Sequence, residues 1–168
     1  MDFVNFCLNA SGQLVVEKTG FIDLRIRPFA AALNVDELPV QNKAIFQRYL
    51  DATKGMKRLS LNFRFHPNSI ELDNRALRDL DRMVSFLKDR SIEGLTLIGF
   101  ADNRGEYQYN TKLALDRAKV VRNELNSRGI PVTSTISASE ELPVASNLHN
   151  KGREKNRRVE IWVQVNRS

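Results

Sequence analysis

Apolar and polar positions change rhythm several times along this 168-residue chain. Leu59, Leu61, Phe63 and Phe65 alternate with Ser60, Asn62 and Arg64, which predicts a strand with one buried face. His66-Pro67-Asn68-Ser69 ends it. Asp73 or Asn74 can then cap a helix whose Ala76, Leu77, Leu80, Met83, Val84 and Leu87 keep the i, i+3, i+4 stripe. Gly94 opens Leu95-Thr-Leu-Ile-Gly-Phe-Ala101, apolar on both faces and therefore an interior strand. After the polar loop Asp102-Asn-Arg-Gly105, a second helix is expected from Tyr109 to Ser127, closed by Gly129 and Pro131. Val132 to Ser139 suits a third strand. Val159, Ile161, Val163 and Val165, alternating with Glu160, Trp162 and Gln164, make a fourth. The order β-α-β-α-β-β implies an α/β two-layer sandwich, with the helices on one face of a mixed sheet.

The first 58 residues read differently and are expected to form an N-terminal extension, with the sandwich occupying residues 59–168. Phe3 to Leu8 suggests a short helix, followed by a Ser11-Gly12 break and a further helical or extended piece. Phe21 to Ile26 alternates as an extended segment. Pro28 and Pro39 bracket a connector. Gln41 to Thr53 carries Ala44, Ile45, Tyr49 and Ala52 at helical spacing, with Gly55 as the stop.

Composition narrows the chemistry. Hydrophobic residues make up 42% and charged residues 27%, the balance of a folded globular chain. The longest apolar run, Phe29 to Leu33, is far short of the roughly 20 residues of a membrane span. Met1-Asp2 offers no positive start for a secretory signal. The single cysteine, Cys7, excludes an internal disulfide and a Cys-rich zinc site, and is expected to be a small buried hydrophobe. Two histidines, His66 and His149, lie outside any nucleophile motif, so an enzyme, a bound metal and a cofactor are not expected. The net charge of +6 is concentrated in Lys151 to Arg158, where five cations face only Glu154. No aromatic interleaving or helix-turn-helix accompanies the run, so a solvated loop is expected rather than a nucleic-acid patch.

One juxtaposition carries chemistry. With Asn110 at zero on a helical wheel, Ala114, Ala118, Val121 and Leu125 fall between roughly 20° and 80°, and Arg117 falls at about 340°. An arginine at the margin of a core-facing stripe needs an anion, because an unpaired buried charge is costly. Asp102, at the end of the interior strand, is the nearest acid by topology, and ligands of open α/β sheets collect at strand ends. The two charges can pair with each other. They can equally hold a zwitterion, Asp102 taking an ammonium and Arg117 clamping a carboxylate.

Gly99-Phe-Ala-Asp-Asn-Arg-Gly105, Tyr109-Asn110, Leu113, Arg117-Ala118, Gly129-Ile130, Glu140, Pro143 and Asn156-Arg-Arg-Val-Glu160 resemble the OmpA-like peptidoglycan-binding domain, which also occurs in the Pal lipoprotein and MotB-type stators. The resemblance spans about residues 59–165 and implies the same element order. It implies that Asp102 and Arg117 hold the free amino-acid end of meso-diaminopimelate in the stem peptide. It further implies that Asn110 lines the pocket and that Arg157 approaches the ligand from the start of the last strand. On the residues alone, Asn110 can instead cap the helix, and Arg157 can be a solvated strand-end charge. Ala101, His66, Ser137 and Ser139 depart from the family pattern, the last two standing where glycines are common.

Phe3-Val-Asn-Phe, Leu8, Ser11-Gly12-Gln13, Val16 and Gly20-Phe21 resemble the closing helix of phosphate-type periplasmic solute-binding proteins. This implies the C-terminal part of a longer exported protein. The function expected from these resemblances is noncovalent anchoring of a periplasmic or outer-membrane-associated protein to peptidoglycan. The alternative is an envelope protein–protein interaction module of the same fold that does not bind cell wall.

Overall fold

The computed structural model describes residues 11, 13–15, 25–30, 42–88, 90 and 92–165. The expected Phe3–Leu8 helix, Cys7, and most of the solute-binding-protein resemblance lie outside the described residues. Ser11 is helical where a break is expected, and Gln13 to Val15 are helical, one of the two forms expected after it.

The elements are β1 (Pro28–Phe29), α1 (Lys43–Thr53), β2 (Lys57–Arg64), α2 (Asn74–Lys88), β3 (Ile92–Gly99), α3 (Tyr107–Ser127), β4 (Ser134–Ser137), α4 (Asn150–Asn156) and β5 (Arg158–Val165). From β2 onward this is the expected order with one addition, the short α4. Seven mostly polar residues contain too few apolar positions to announce a helix. The sheet order is β1-β2-β5-β3-β4. Only the β3–β4 pair is parallel, and β5 runs antiparallel between β2 and β3, with Ile161 opposite Leu97 and Val159 opposite Phe63. Pro28, expected in a connector, lies in a two-residue edge strand against Leu59. An edge suits proline, which has no N–H to give a ladder.

Helices α2 and α3 cover one face of the sheet. Leu80, Met83 and Leu87 of α2 and Ala118, Val121 and Leu125 of α3 bury against Leu59, Phe63, Leu95, Leu97, Val159, Ile161 and Val163. The α2 cap is Asp73, whose carboxylate accepts the Ala76 amide at 2.7 Å. Helix α3 comes so close to β3 that a Cβ on Gly99 would sit 1.8 Å from the Ala114 carbonyl oxygen. Only glycine permits that approach.

Alternation in β5 sets Glu160 and Trp162 on the face opposite Val159, Ile161 and Val163. Both are buried. The reason is α1, which belongs to the extension yet lies on the side of the sheet opposite α2 and α3. Phe46 and Tyr49 join Ile98, Phe100, Ala138, Leu142 and Trp162 in a second apolar cluster. The buried stripe of α1 is Phe46, Tyr49 and Thr53, whereas the expected Ala44 is exposed. Tyr49 meets Phe100 and Trp162 edge-on, with ring centroids 6.1 and 5.8 Å apart. Thus α2 and α3 form the expected helical layer, and α1 adds cover to the other face.

Candidate functional site

The carboxyl end of β3, the loop after it, the first half of α3 and the segment leading into β5 converge on a cleft of about 540 Å³. Asp102, Asn110, Arg117 and Arg157 all line it. The structure therefore brings together all four residues singled out from the sequence.

Arg117 is more deeply set than the wheel suggests: its relative exposure is 0%. It does not pair with Asp102. Its Nε donates to the Ser69 carbonyl at 3.0 Å, Nη2 to the His66 carbonyl at 3.0 Å, and Nη1 to the Phe100 carbonyl at 3.3 Å. Its guanidinium also lies 5.3 Å from the Phe65 ring centroid. Three of five N–H donors are thereby spent on backbone. Burial, reinforced by the neighbouring Arg157 charge, pulls its pKa down to about 10, and Asp102 acts in the opposite direction. The group nevertheless stays cationic near neutrality. His66, whose side chain is exposed, serves the site through its carbonyl oxygen.

Asp102 pairs with Arg157. Arg157 Nη1 reaches Asp102 Oδ2 at 2.7 Å, and its Nε donates to the Phe65 carbonyl at 3.0 Å. Both side chains are about one-tenth exposed. The reading of Arg157 as a solvated strand-end charge is therefore corrected: it is buried and ion-paired. Asp102 Oδ1 accepts the Arg104 amide at 3.0 Å. Each carboxylate oxygen retains further acceptor capacity, so the cleft can still offer Asp102 to a cation.

Asn110 is not a helix cap. Helix α3 begins at Tyr107 with Glu106 at the N-cap position, which puts Asn110 inside the first turn. Its amide donates to the Asp102 carbonyl at 3.1 Å and to Glu140 Oε2 at 2.6 Å. Asn110 thus ties the strand-end loop to the turn after β4. Glu140 was visible in the sequence as a motif residue, but its bond to Asn110 spans thirty positions and leaves no periodic signal. That turn strains its backbone: Ser139 and Leu142 have φ of 52° and 54°. The glycine usual at position 139 would adopt this conformation without cost. Ser139 is held instead by Thr111, whose hydroxyl donates to its Oγ at 3.0 Å, and by its own amide, which donates to Ser137 Oγ.

The basic run is not a solvated loop. Lys151, Arg153 and Lys155 fall in α4, and Arg153, Arg157 and Arg158 are buried. Arg158 belongs to the opposite face of the sheet. It lies 3.7 Å from the Phe100 ring centroid and binds Glu160 at 2.8 Å. Glu160 also accepts from Trp162 Nε1 at 3.2 Å and Tyr49 Oη at 3.4 Å, and meets Arg58 at 3.2 Å.

The OmpA family model matches residues 64–157, more than half of the chain and all of the cleft. The chain belongs to the OmpA family. Over 86 residues it is 38% identical to the peptidoglycan-binding protein ArfA of Mycobacterium tuberculosis strain H37Rv, covering 50% of this chain and 26% of that protein. Over 83 residues it is 39% identical to the peptidoglycan-associated lipoprotein of Rhizobium meliloti, covering 48% of this chain and 47% of that one. The crystal structure of the peptidoglycan-associated lipoprotein from Burkholderia pseudomallei superposes with a TM-score of 0.57 at 26% identity, over 61% of this chain and 89% of that chain. The chain spans half or less of these two curated relatives. The residues matched to the OmpA family include Asp102, Asn110, Arg117 and Arg157.

Proposed function

We propose that this OmpA-family chain binds peptidoglycan noncovalently through the diaminopimelate of the stem peptide and anchors a periplasmic or outer-membrane-associated protein to the cell wall. The observation that carries this reading is one cleft lined by a carboxylate, Asp102, and two guanidinium groups, Arg117 and Arg157. The free end of diaminopimelate bears one ammonium and one carboxylate. Asp102 receives the ammonium through its remaining lone pairs, while Arg157 holds the carboxylate oriented. The N–H donors of Arg117 not spent on carbonyls meet the ligand carboxylate. Asn110 keeps the loop of Asp102 in register with α3. Such a site binds without forming or breaking a covalent bond, so the domain acts as an anchor and not as an enzyme. Two named relatives, a peptidoglycan-binding protein and a peptidoglycan-associated lipoprotein, support the same ligand class.

The test uses the full chain and purified sacculi of the diaminopimelate type. Wild-type protein should sediment with sacculi, and Asp102→Asn should stay in the supernatant while remaining folded by circular dichroism. In a parallel NMR titration, meso-diaminopimelate should shift the amides of Asp102, Asn110 and Arg117. A lysine-type stem peptide, whose lysine has no distal carboxylate, should shift them far less than the corresponding diaminopimelate-type peptide. Equal responses to the two peptides would overturn the reading, as would sacculus binding that survives Asp102→Asn.

A further inference from the structure

The cleft holds more positive charge than an amino-acid head group needs. Five cations and two carboxylates line it. Three of the cations are engaged inside the protein. Arg117 gives three of its five N–H donors to backbone carbonyls, Arg157 is bound to Asp102 and the Phe65 carbonyl, and Arg153 to Asn147 and Asn150. Arg104 and Lys151 are different. Both are exposed, they come from separate segments on the rim, and among the described residues neither makes an ion pair. The rim carboxylate, Glu154, stands three residues beyond Lys151 without forming an ion pair with it.

A zwitterionic head group adds no net charge to the cleft, so its arrival would leave the rim cations unanswered. We infer that Arg104 and Lys151 receive a second carboxylate of the ligand, on the peptide residue adjoining diaminopimelate, and so make the cleft selective for stem peptides whose carboxyl is free over those in which it is amidated. The inference rests on the reading given under Proposed function and adds the chemistry of the neighbouring residue. Amidation replaces an anion by a neutral group of nearly the same size, so shape cannot account for a preference between them. Exposed ion pairs are individually weak and screened by salt, so the preference should be about three- to fivefold and should fade as ionic strength rises.

The experiment is calorimetric titration of the full chain with a γ-glutamyl-diaminopimelate dipeptide, with the glutamyl α-carboxyl either free or amidated. Diaminopimelate alone serves as the reference. The free acid should bind more tightly than the amide by about three- to fivefold at low salt. Arg104→Gln combined with Lys151→Gln should bring the two peptides to equal affinity. Both positions are exposed, so the double variant should keep the wild-type circular dichroism spectrum. Equal binding of acid and amide by wild type, or a preference that persists in the double variant, overturns the rim assignment while leaving the diaminopimelate site standing. If neither diaminopimelate nor either peptide binds, the underlying reading falls and this inference falls with it.

Discussion

Arg157 and Arg158 are consecutive in the chain, yet their guanidinium groups serve different sides of the sheet. Arg157 grips Asp102 at 2.7 Å in the cleft, and Arg158 grips Glu160 at 2.8 Å beneath α1. Arg157 is the C-cap of α4 and Arg158 the first residue of β5, so the chain changes conformation between them and sends the two side chains to different sides. The cleft and the docking surface of α1 therefore meet at one peptide bond.

Arg117 is both a cleft residue and a structural clamp. Replacing a partly buried charge by a hydrophobe is often tolerated when no partner is stranded. Here, Arg117→Met would strand the carbonyls of Ser69 and Phe100 and leave that of His66 only the Ser69 amide. The variant should lose sacculus binding and also about 3 kcal/mol of stability, read as a lower urea midpoint. A midpoint equal to wild type would show that these carbonyls find water instead.

Gly99→Ala tests how the site is positioned. Its Cβ would meet the Ala114 carbonyl oxygen at 1.8 Å, so α3 must move away from β3. The expected cost is about 3 kcal/mol. Because α3 carries Asn110 and Arg117, diaminopimelate-induced amide shifts at these residues should weaken even where the variant remains folded. Unchanged shifts and midpoint would mean that the helix can slide without consequence.

Tyr49 gives a pH dependence. Burial, followed by the Glu160 carboxylate, raises its phenol well above the ordinary value of 10. The folded state therefore keeps a proton that the unfolded chain releases. Its contribution is complete below pH 10 and is lost as pH rises above that value. The urea midpoint of wild type should fall between pH 8 and pH 11. Tyr49→Phe, which has no phenol to titrate, should fall less over the same interval. An equal fall would remove Tyr49 as the source.

The extension can be divided by truncation. A chain beginning at Asn42 keeps the cap of α1, whose side chain accepts the Ala44 and Ile45 amides, and should still bind sacculi. A chain beginning at Lys57 loses Phe46 and Tyr49 and uncovers Ile98, Phe100 and Trp162. That shorter form should bind a hydrophobic dye and aggregate. If it behaves like wild type, the second apolar cluster is dispensable.

Much of this protein can be read from local pattern. Strand alternation in β2, the apolar run of β3 and the stripes of α2 and α3 each report a periodic environment, and periodicity is a property of contiguous residues. Asp102 and Arg117 were legible from the strand end and the helical wheel, Asn110 and Arg157 only through the family resemblance, and all four share one cleft. Their partners were not legible. Arg117 appeared to face Asp102, but Asp102 is held by Arg157, fifty-five positions away, and Arg117 by backbone carbonyls on two loops. Backbone acceptors have no residue type, so no sequence signal marks them. The burial of Glu160 and Trp162 was not legible, because alternation records only that two faces differ, not whether a helix from elsewhere covers the second. The burial of that face and the pairing of the charges depend on contacts between segments distant in sequence, which are set only when the chain folds.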